Sequence, residues 1–134
     1  MNQNHEQPHQ LMSSDEEIAE FIHTTFRSVW ALEMLLLMAG HGEREWVQPE
    51  LVDALRASEL IVTRALDDLA MAGLIVIERD GAARFQPASQ HSRALVASTA
   101  TFYAKSPDKV RRIIVGRASN GLNAFAAAFR IRKD

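Results

Sequence analysis

Cysteine is absent from the 134 residues of this chain. Its absence excludes disulfide scaffolds, thiolate zinc sites and cysteine nucleophiles, and it fits a reducing compartment. Long apolar runs are missing too, because the densest one, 32–39, contains Glu33 and is far too short to cross a bilayer. Residues 1–13 have neither a basic region nor an apolar stretch, so we expect no secretory signal there. These absences predict a cytoplasmic protein that does not enter a membrane.

The residue patterns of common catalytic and cofactor sites are also lacking. The sequence has no glycine-rich phosphate loop, no nucleophile elbow and no pattern of paired carboxylates. Its five histidines are scattered, and His5 and His9 have no third metal ligand nearby. We therefore expect no enzymatic activity, no metal and no cofactor. A small-molecule pocket lined by Trp30 and Trp46 is an alternative to the packing of these side chains in the core.

What the chain does have is a separation of charge along its length. The net charge of −2 is the balance of −5 over residues 1–40, −4 over 41–87 and +7 over 88–134. The basic last third indicates an anionic partner, unless it neutralises the acidic first third within the chain. The candidates for a phosphate-binding or acidic-partner patch are Lys109, Arg111, Arg112 and Arg117.

Capping and turn residues predict the order of elements. Ser14 with Glu17 is a capping box, and apolar residues at helical spacing continue this helix to Gly40. A short helix then begins near Pro49. The next helix is capped by Ser58 and reaches about Ala72. A β-branched run follows at 74–77, and the Asp80-Gly81 turn predicts a β-hairpin.

The last third is predicted to be helical. A new helix begins at Ser106-Pro107-Asp108, and Asn120 caps a further one. The helix before them carries a stripe of residues that is either a seam between two copies or part of one chain's core. The stripe consists of Leu95, Thr99, Phe102 and Tyr103.

Two stretches in the middle carry a resemblance to a known family. Residues 49–58 (PELVDALRAS) and 60–75 (LIVTRALDDLAMAGLI) resemble the winged helix-turn-helix of bacterial transcription regulators of the broad MarR/ArsR-like group. The resemblance covers about residues 28–87. It implies a mainly α fold with a small β-hairpin, in which this winged core has helices on both sides. After a disordered tail at 1–13, residues 14–134 form one domain, with 88–134 as a helical extension.

The resemblance also implies a function and a set of contacts. A dimer would bind double-stranded DNA, with the helix after Ser58 in the major groove and the hairpin on the backbone. The implied DNA-binding residues are Ser58, Thr63, Arg64, Arg79 and Arg84.

The charges of the central helices leave other functions open. Residues 48–73 contain two basic and five acidic residues, although tight DNA binding favours a basic surface. One alternative is a winged fold that binds a protein partner through Leu60, Ile61 and Met71. Another is a sensor that binds DNA in only one of its ligand states.

Overall fold

The computed structural model describes residues 14–116, which are mainly helical with a small antiparallel sheet. The predicted fold class, mainly α with a small β-hairpin, is confirmed. In chain order the elements are α1 (Asp15–Thr25), α2 (Val29–Ala39), β1 (Glu45–Trp46), α3 (Gln48–Leu55), α4 (Glu59–Met71), β2 (Ile75–Ile77), β3 (Ala83–Phe85), α5 (Gln90–Lys105) and α6, which includes 107–116. The predicted tail at 1–13, Arg117 and the predicted helix from Asn120 lie outside the described residues.

Serine hydroxyls fix the beginning of four of the described helices. Ser14, Ser28, Ser58 and Ser89 each accept a hydrogen bond from the backbone N–H three residues later, at 3.0–3.1 Å. Each bond satisfies an N–H group that a helix leaves open in its first turn. The caps predicted at Ser14 and Ser58 are confirmed, and α6 begins after Ser106 as its sequence predicts.

The single long helix predicted to end at Gly40 is wrong, because the chain leaves the helical conformation at Phe26. Phe26 has an extended backbone (φ −99°, ψ 119°) and a fully buried ring. That ring meets the Phe21 ring edge-on, with 5.8 Å between the centroids. The cap at Ser28 then starts a second helix. The break directs the Phe26 ring into the core. A continuous helix would have kept this side chain at the regular helical spacing instead.

The sheet has the strand order β1-β3-β2, and both outer strands run antiparallel to β3. β2 and β3 are joined by the turn predicted from the sequence. The Asp80 carboxylate accepts a hydrogen bond from the Ala82 N–H at 3.0 Å, and Gly81 takes a left-handed backbone conformation (φ +93°). The predicted hairpin is therefore confirmed, and β1 adds a third strand to it.

Trp46 of β1 belongs to the core, where only 4% of its surface is exposed. The His41 ring packs edge-on against it at 5.3 Å, and the Arg44 guanidinium lies 3.7 Å from its ring centre. Its indole N–H is buried without a hydrogen-bond partner among the described residues. Packing therefore accounts for Trp46, whereas Trp30 of α2 is 37% exposed.

The core is built around α2, which packs on α3, α4, β3 and α5. α4 lies across it and buries the side chains that recur along one of its faces. The buried residues of these two helices are Ala31, Leu32, Met34, Leu35, Met38, Val62, Ala65, Leu66 and Leu69.

The α5 stripe also faces this core. Leu95 and Thr99 are buried within the chain, and the Thr99 hydroxyl donates to the Leu95 carbonyl at 2.8 Å. Of the two alternatives, this burial favours the one in which Leu95 and Thr99 belong to one chain's core, because α5 packs on α1 and α2 of its own chain. Phe102 and Tyr103 are half-buried and pack against the same core.

Candidate nucleic-acid interface

The outer face of α4 is held open to solvent by the packing of its inner face. Val62, Leu66 and Leu69 anchor the helix on the core. The exposed residues of the helix beyond Glu59 are Leu60, Thr63, Arg64, Asp67 and Met71. The structure therefore leaves this face of α4 open to solvent, as the sequence predicts.

Ser58 and Thr63, two of the predicted contacts, already have hydrogen-bond roles. The Ser58 hydroxyl caps α4 by accepting from the Ile61 N–H at 3.1 Å. The Thr63 hydroxyl accepts from the Gln48 side-chain amide at 2.8 Å, and the same amide donates to the Glu59 carbonyl at 3.3 Å. Gln48 thereby ties the first turn of α3 to the exposed face of α4. Sequence reasoning missed this contact, because the two residues are fifteen positions apart.

Arg64 lies beside a groove of about 430 Å³ between α4 and the beginning of α2. Trp30 and Ile61 give the groove apolar walls, and Arg27 bridges its edge by an ion pair with Asp68 at 3.8 Å. Arg64 is exposed and forms no ion pair within residues 14–116. Its guanidinium is therefore available to a partner.

The two hairpin arginines differ in their availability. The Arg84 guanidinium pairs with the Glu78 carboxylate at 2.6 Å and also donates to the Gln86 side chain. The bond to Glu78, with weaker attraction from Glu45 and Glu43, raises the pKa of Arg84. Arg79 is exposed and has no ion pair in the described part of the chain. Of the two predicted backbone contacts, only Arg79 is free to meet an anion.

Arg56 is a third unpaired arginine, which sequence reasoning did not single out. It ends α3 in a left-handed conformation (φ 55°, ψ 44°), and it is the only described non-glycine residue with a positive φ. Such a backbone is uncommon for a residue with a side chain. Its side chain is exposed at the turn into α4 and forms no ion pair with any described residue. The sequence signal that could have identified Arg56 is its position in the turn between the end of α3 and the Ser58 cap.

The predicted basic patch lies on α6. Lys109, Arg111 and Arg112 are all exposed. Lys109 is 5.9 Å from the Phe102 ring centre. The remaining predicted member, Arg117, lies outside the described residues.

Arg111 belongs to a network that joins α6 to α2. It donates to the Tyr103 hydroxyl and to the Asp108 carboxylate, both at 3.2 Å, while the Tyr103 hydroxyl donates to Glu33. Partial burial and the Glu33 carboxylate raise the pKa of Tyr103, and Arg111 opposes this shift. At neutral pH the tyrosine therefore stays protonated and keeps its bond to Glu33.

Within residues 14–116, no group of three or more histidine, aspartate or glutamate side chains is placed to hold a metal ion. None of the described helices combines the length and the apolar character needed to cross a membrane. Comparisons with models of protein families, with curated proteins and with solved structures found no match.

Proposed function

We propose that the chain is a cytoplasmic winged helix-turn-helix regulator of transcription that binds double-stranded DNA as a dimer. α4 enters the major groove, and the β2-β3 hairpin lies on the backbone as the wing. The observation that carries the proposal is the placement of three exposed arginines that form no ion pair with any described residue. Arg56 lies at the turn between α3 and α4, Arg64 on the outer face of α4, and Arg79 in the hairpin. In a winged helix these three elements meet the same stretch of duplex.

The roles of the three arginines follow from their positions. Arg64 reads a base, because a guanidinium on the groove-facing side of a helix can pair with both acceptors of guanine. Arg56 and Arg79 lie on the flanks and bind phosphate, which positions the protein without reading the sequence. The Gln48 amide and the Thr63 hydroxyl form a polar pair beside them.

The charge balance explains why two copies are needed. Residues 41–87 contain nine acidic and five basic residues, so a single copy approaches a polyanion with little net attraction. A dimer doubles the number of phosphate contacts and reads two half-sites about one helical turn apart.

The direct test is a fluorescence-anisotropy titration of the full chain with the DNA upstream of its own coding sequence. Arg64→Ala should weaken specific binding by about 1–3 kcal/mol, and should lower the preference for this DNA over an unrelated duplex. The matched control is Arg93→Ala, which removes an exposed arginine from α5, where it packs 5.5 Å from the Phe85 ring. The proposal fails if the wild-type chain does not bind DNA. If both variants bind DNA like the wild type, Arg64 is not part of the interface.

A second candidate function is favoured by the apolar part of the same surface. Leu60 and Met71 are 58% and 85% exposed, and Trp30 and Ile61 line the groove beside Arg64. Exposed apolar side chains of this size are typical of protein interfaces. With Asp67 next to them, they suit a protein partner better than a DNA groove.

Salt and substitution separate the two candidates. DNA binding weakens steeply as salt rises, whereas a partner held by apolar burial is retained. A paired variant, Leu60→Ser with Met71→Ser, should abolish retention of a protein partner from nuclease-treated lysate and leave the salt dependence of DNA binding unchanged. If a partner binds this variant as it binds the wild type, this surface is not its docking site.

A further inference from the structure

Helix α6 lies beside the turn that leads into α4. Its Arg111 lines a groove of about 570 Å³ together with Ala54 and Leu55, the last two residues of α3. Leu55 directly precedes Arg56, the exposed arginine of the turn. The basic helix therefore borders the end of α3, the helix that Arg56, one of the three arginines assigned to the interface, directly follows.

The position of α6 is fixed by contacts on two sides. Val110 and Ile114 are buried in the core, and the chain Arg111–Tyr103–Glu33 ties the helix to α2. The residues that α6 exposes are consequently held at a constant distance from the turn. A cation on such a support loses less conformational entropy on binding than one on a free segment.

The exposed surface at the beginning of α6 is strongly basic. Residues 105–112 contain four basic residues and one acidic residue, Asp108, which pairs with Arg111. Lys109 and Arg112 are three residues apart and are therefore neighbours on the helix surface. Neither forms an ion pair with another described residue. Among residues 14–116, no carboxylate pairs with these two cations, in contrast to Arg84 of the hairpin.

We propose that Lys109 and Arg112 bind the phosphate backbone of the DNA segment next to the one occupied by α4. The inference rests on the proposed function and adds to it a second contact surface, on a helix outside the winged core. Phosphate is the partner that the charges favour, because a duplex carries one negative charge per ≈ 1.7 Å of its axis and matches a fixed row of cations. The contact supplies attraction that the acidic segment 41–87 lacks.

The test is the salt dependence of DNA binding by the full chain with the paired substitution Lys109→Gln and Arg112→Gln. Each lost phosphate contact should lower the slope of log K against log salt by about 0.9, and should weaken binding about fivefold at 0.15 M salt. The loss should be equal on the upstream DNA and on an unrelated duplex, because phosphate contacts do not read sequence. Arg64→Ala, in contrast, should change the preference between the two. Arg93→Gln is the control for loss of a positive charge elsewhere.

The outcomes separate this inference from the proposed function. If the wild-type chain does not bind DNA, both are wrong. If it binds DNA and the paired variant keeps the wild-type slope and affinity, the proposed function stands, the phosphate contact is wrong, and an acidic protein becomes the partner to seek. Circular dichroism should show the same helix content in every variant, because all the substituted side chains are exposed.

Discussion

The network of Tyr103, Glu33 and Arg111 yields a prediction that does not depend on the function. Tyr103→Phe removes one hydroxyl and keeps the ring that packs on the core. The Glu33 carboxylate then loses its hydrogen-bond donor, while Arg111 keeps its bond to Asp108. The variant therefore removes both hydrogen bonds of the hydroxyl, the one it donates to Glu33 and the one it accepts from Arg111.

The magnitude follows from the charge and the partial burial of the pair. A hydrogen bond to a charged group contributes about 1.5–3 kcal/mol to stability. Both side chains are only half-buried, so water replaces part of the lost bond on Glu33. We expect Tyr103→Phe to lower the free energy of unfolding by about 1–2 kcal/mol.

Urea unfolding followed by circular dichroism measures this loss. The control is Thr101→Val, which removes an exposed hydroxyl that bonds only to the Ala97 carbonyl, at 3.3 Å. Thr101→Val should change the free energy of unfolding by less than about 0.5 kcal/mol. Equal stability of Tyr103→Phe and the wild type would refute the stabilising role of these two hydrogen bonds.

The same residue predicts a pH dependence. Its folded-state pKa is raised above the unfolded value of about 10. The corresponding stability is therefore fully present below pH of about 10, and it is lost as the pH rises through the folded pKa. The difference in the free energy of unfolding between the wild type and Tyr103→Phe should become smaller in this pH range. Because the chain has one tyrosine, its ultraviolet absorbance reports the pKa directly, and a value at or below 10 would contradict the structure.

Three other predictions concern the fold. Leu69→Ala should lower the free energy of unfolding by about 2–5 kcal/mol in urea titrations, because Leu69 is fully buried, whereas Met71→Ala should change it by less than about 0.5 kcal/mol. Gly73→Ala should cost about 1–2 kcal/mol by thermal unfolding, since Gly73 has φ +77° although an added methyl group meets only ordinary contacts. Glu50→Gln should remove an acid-sensitive part of the stability. The Val47 N–H lowers the pKa of Glu50, so this part is present above pH of about 4.5 and is lost as the pH falls through the lowered pKa, as acid titrations of both proteins would show.

Local chemistry made the middle of the chain predictable. The Ser58 cap and the glycine at 73 bound α4, and the Asp80-Gly81 turn places the hairpin. Each of these signals acts within three or four residues, so a sequence pattern is sufficient to identify it. The outward face of α4 then follows from the spacing of its apolar residues.

The errors came from contacts between distant segments. Helical spacing continues through Phe26, and the burial of that ring in the core, which the spacing does not show, accompanies the break at this position. For the α5 stripe the sequence leaves a second copy and the chain's own core open as alternatives, and the packing of α1 and α2 on α5 is known only from the fold. The availability of Arg84 depends on Glu78, which reaches it only after the hairpin forms. The sequence could thus place a site residue on an element, but only the fold shows whether its side chain is free or paired.

The two tryptophans differ in a way that makes the chain its own optical reporter. Trp46 is buried and packs against His41 and Arg44, so its fluorescence emission should report whether the sheet is folded. Trp30 borders the groove beside Arg64 and is partly open to water. Any macromolecule that covers α4 should shield Trp30 from a soluble quencher and leave Trp46 unchanged. Docking on this helix can therefore be followed without a dye and told apart from unfolding.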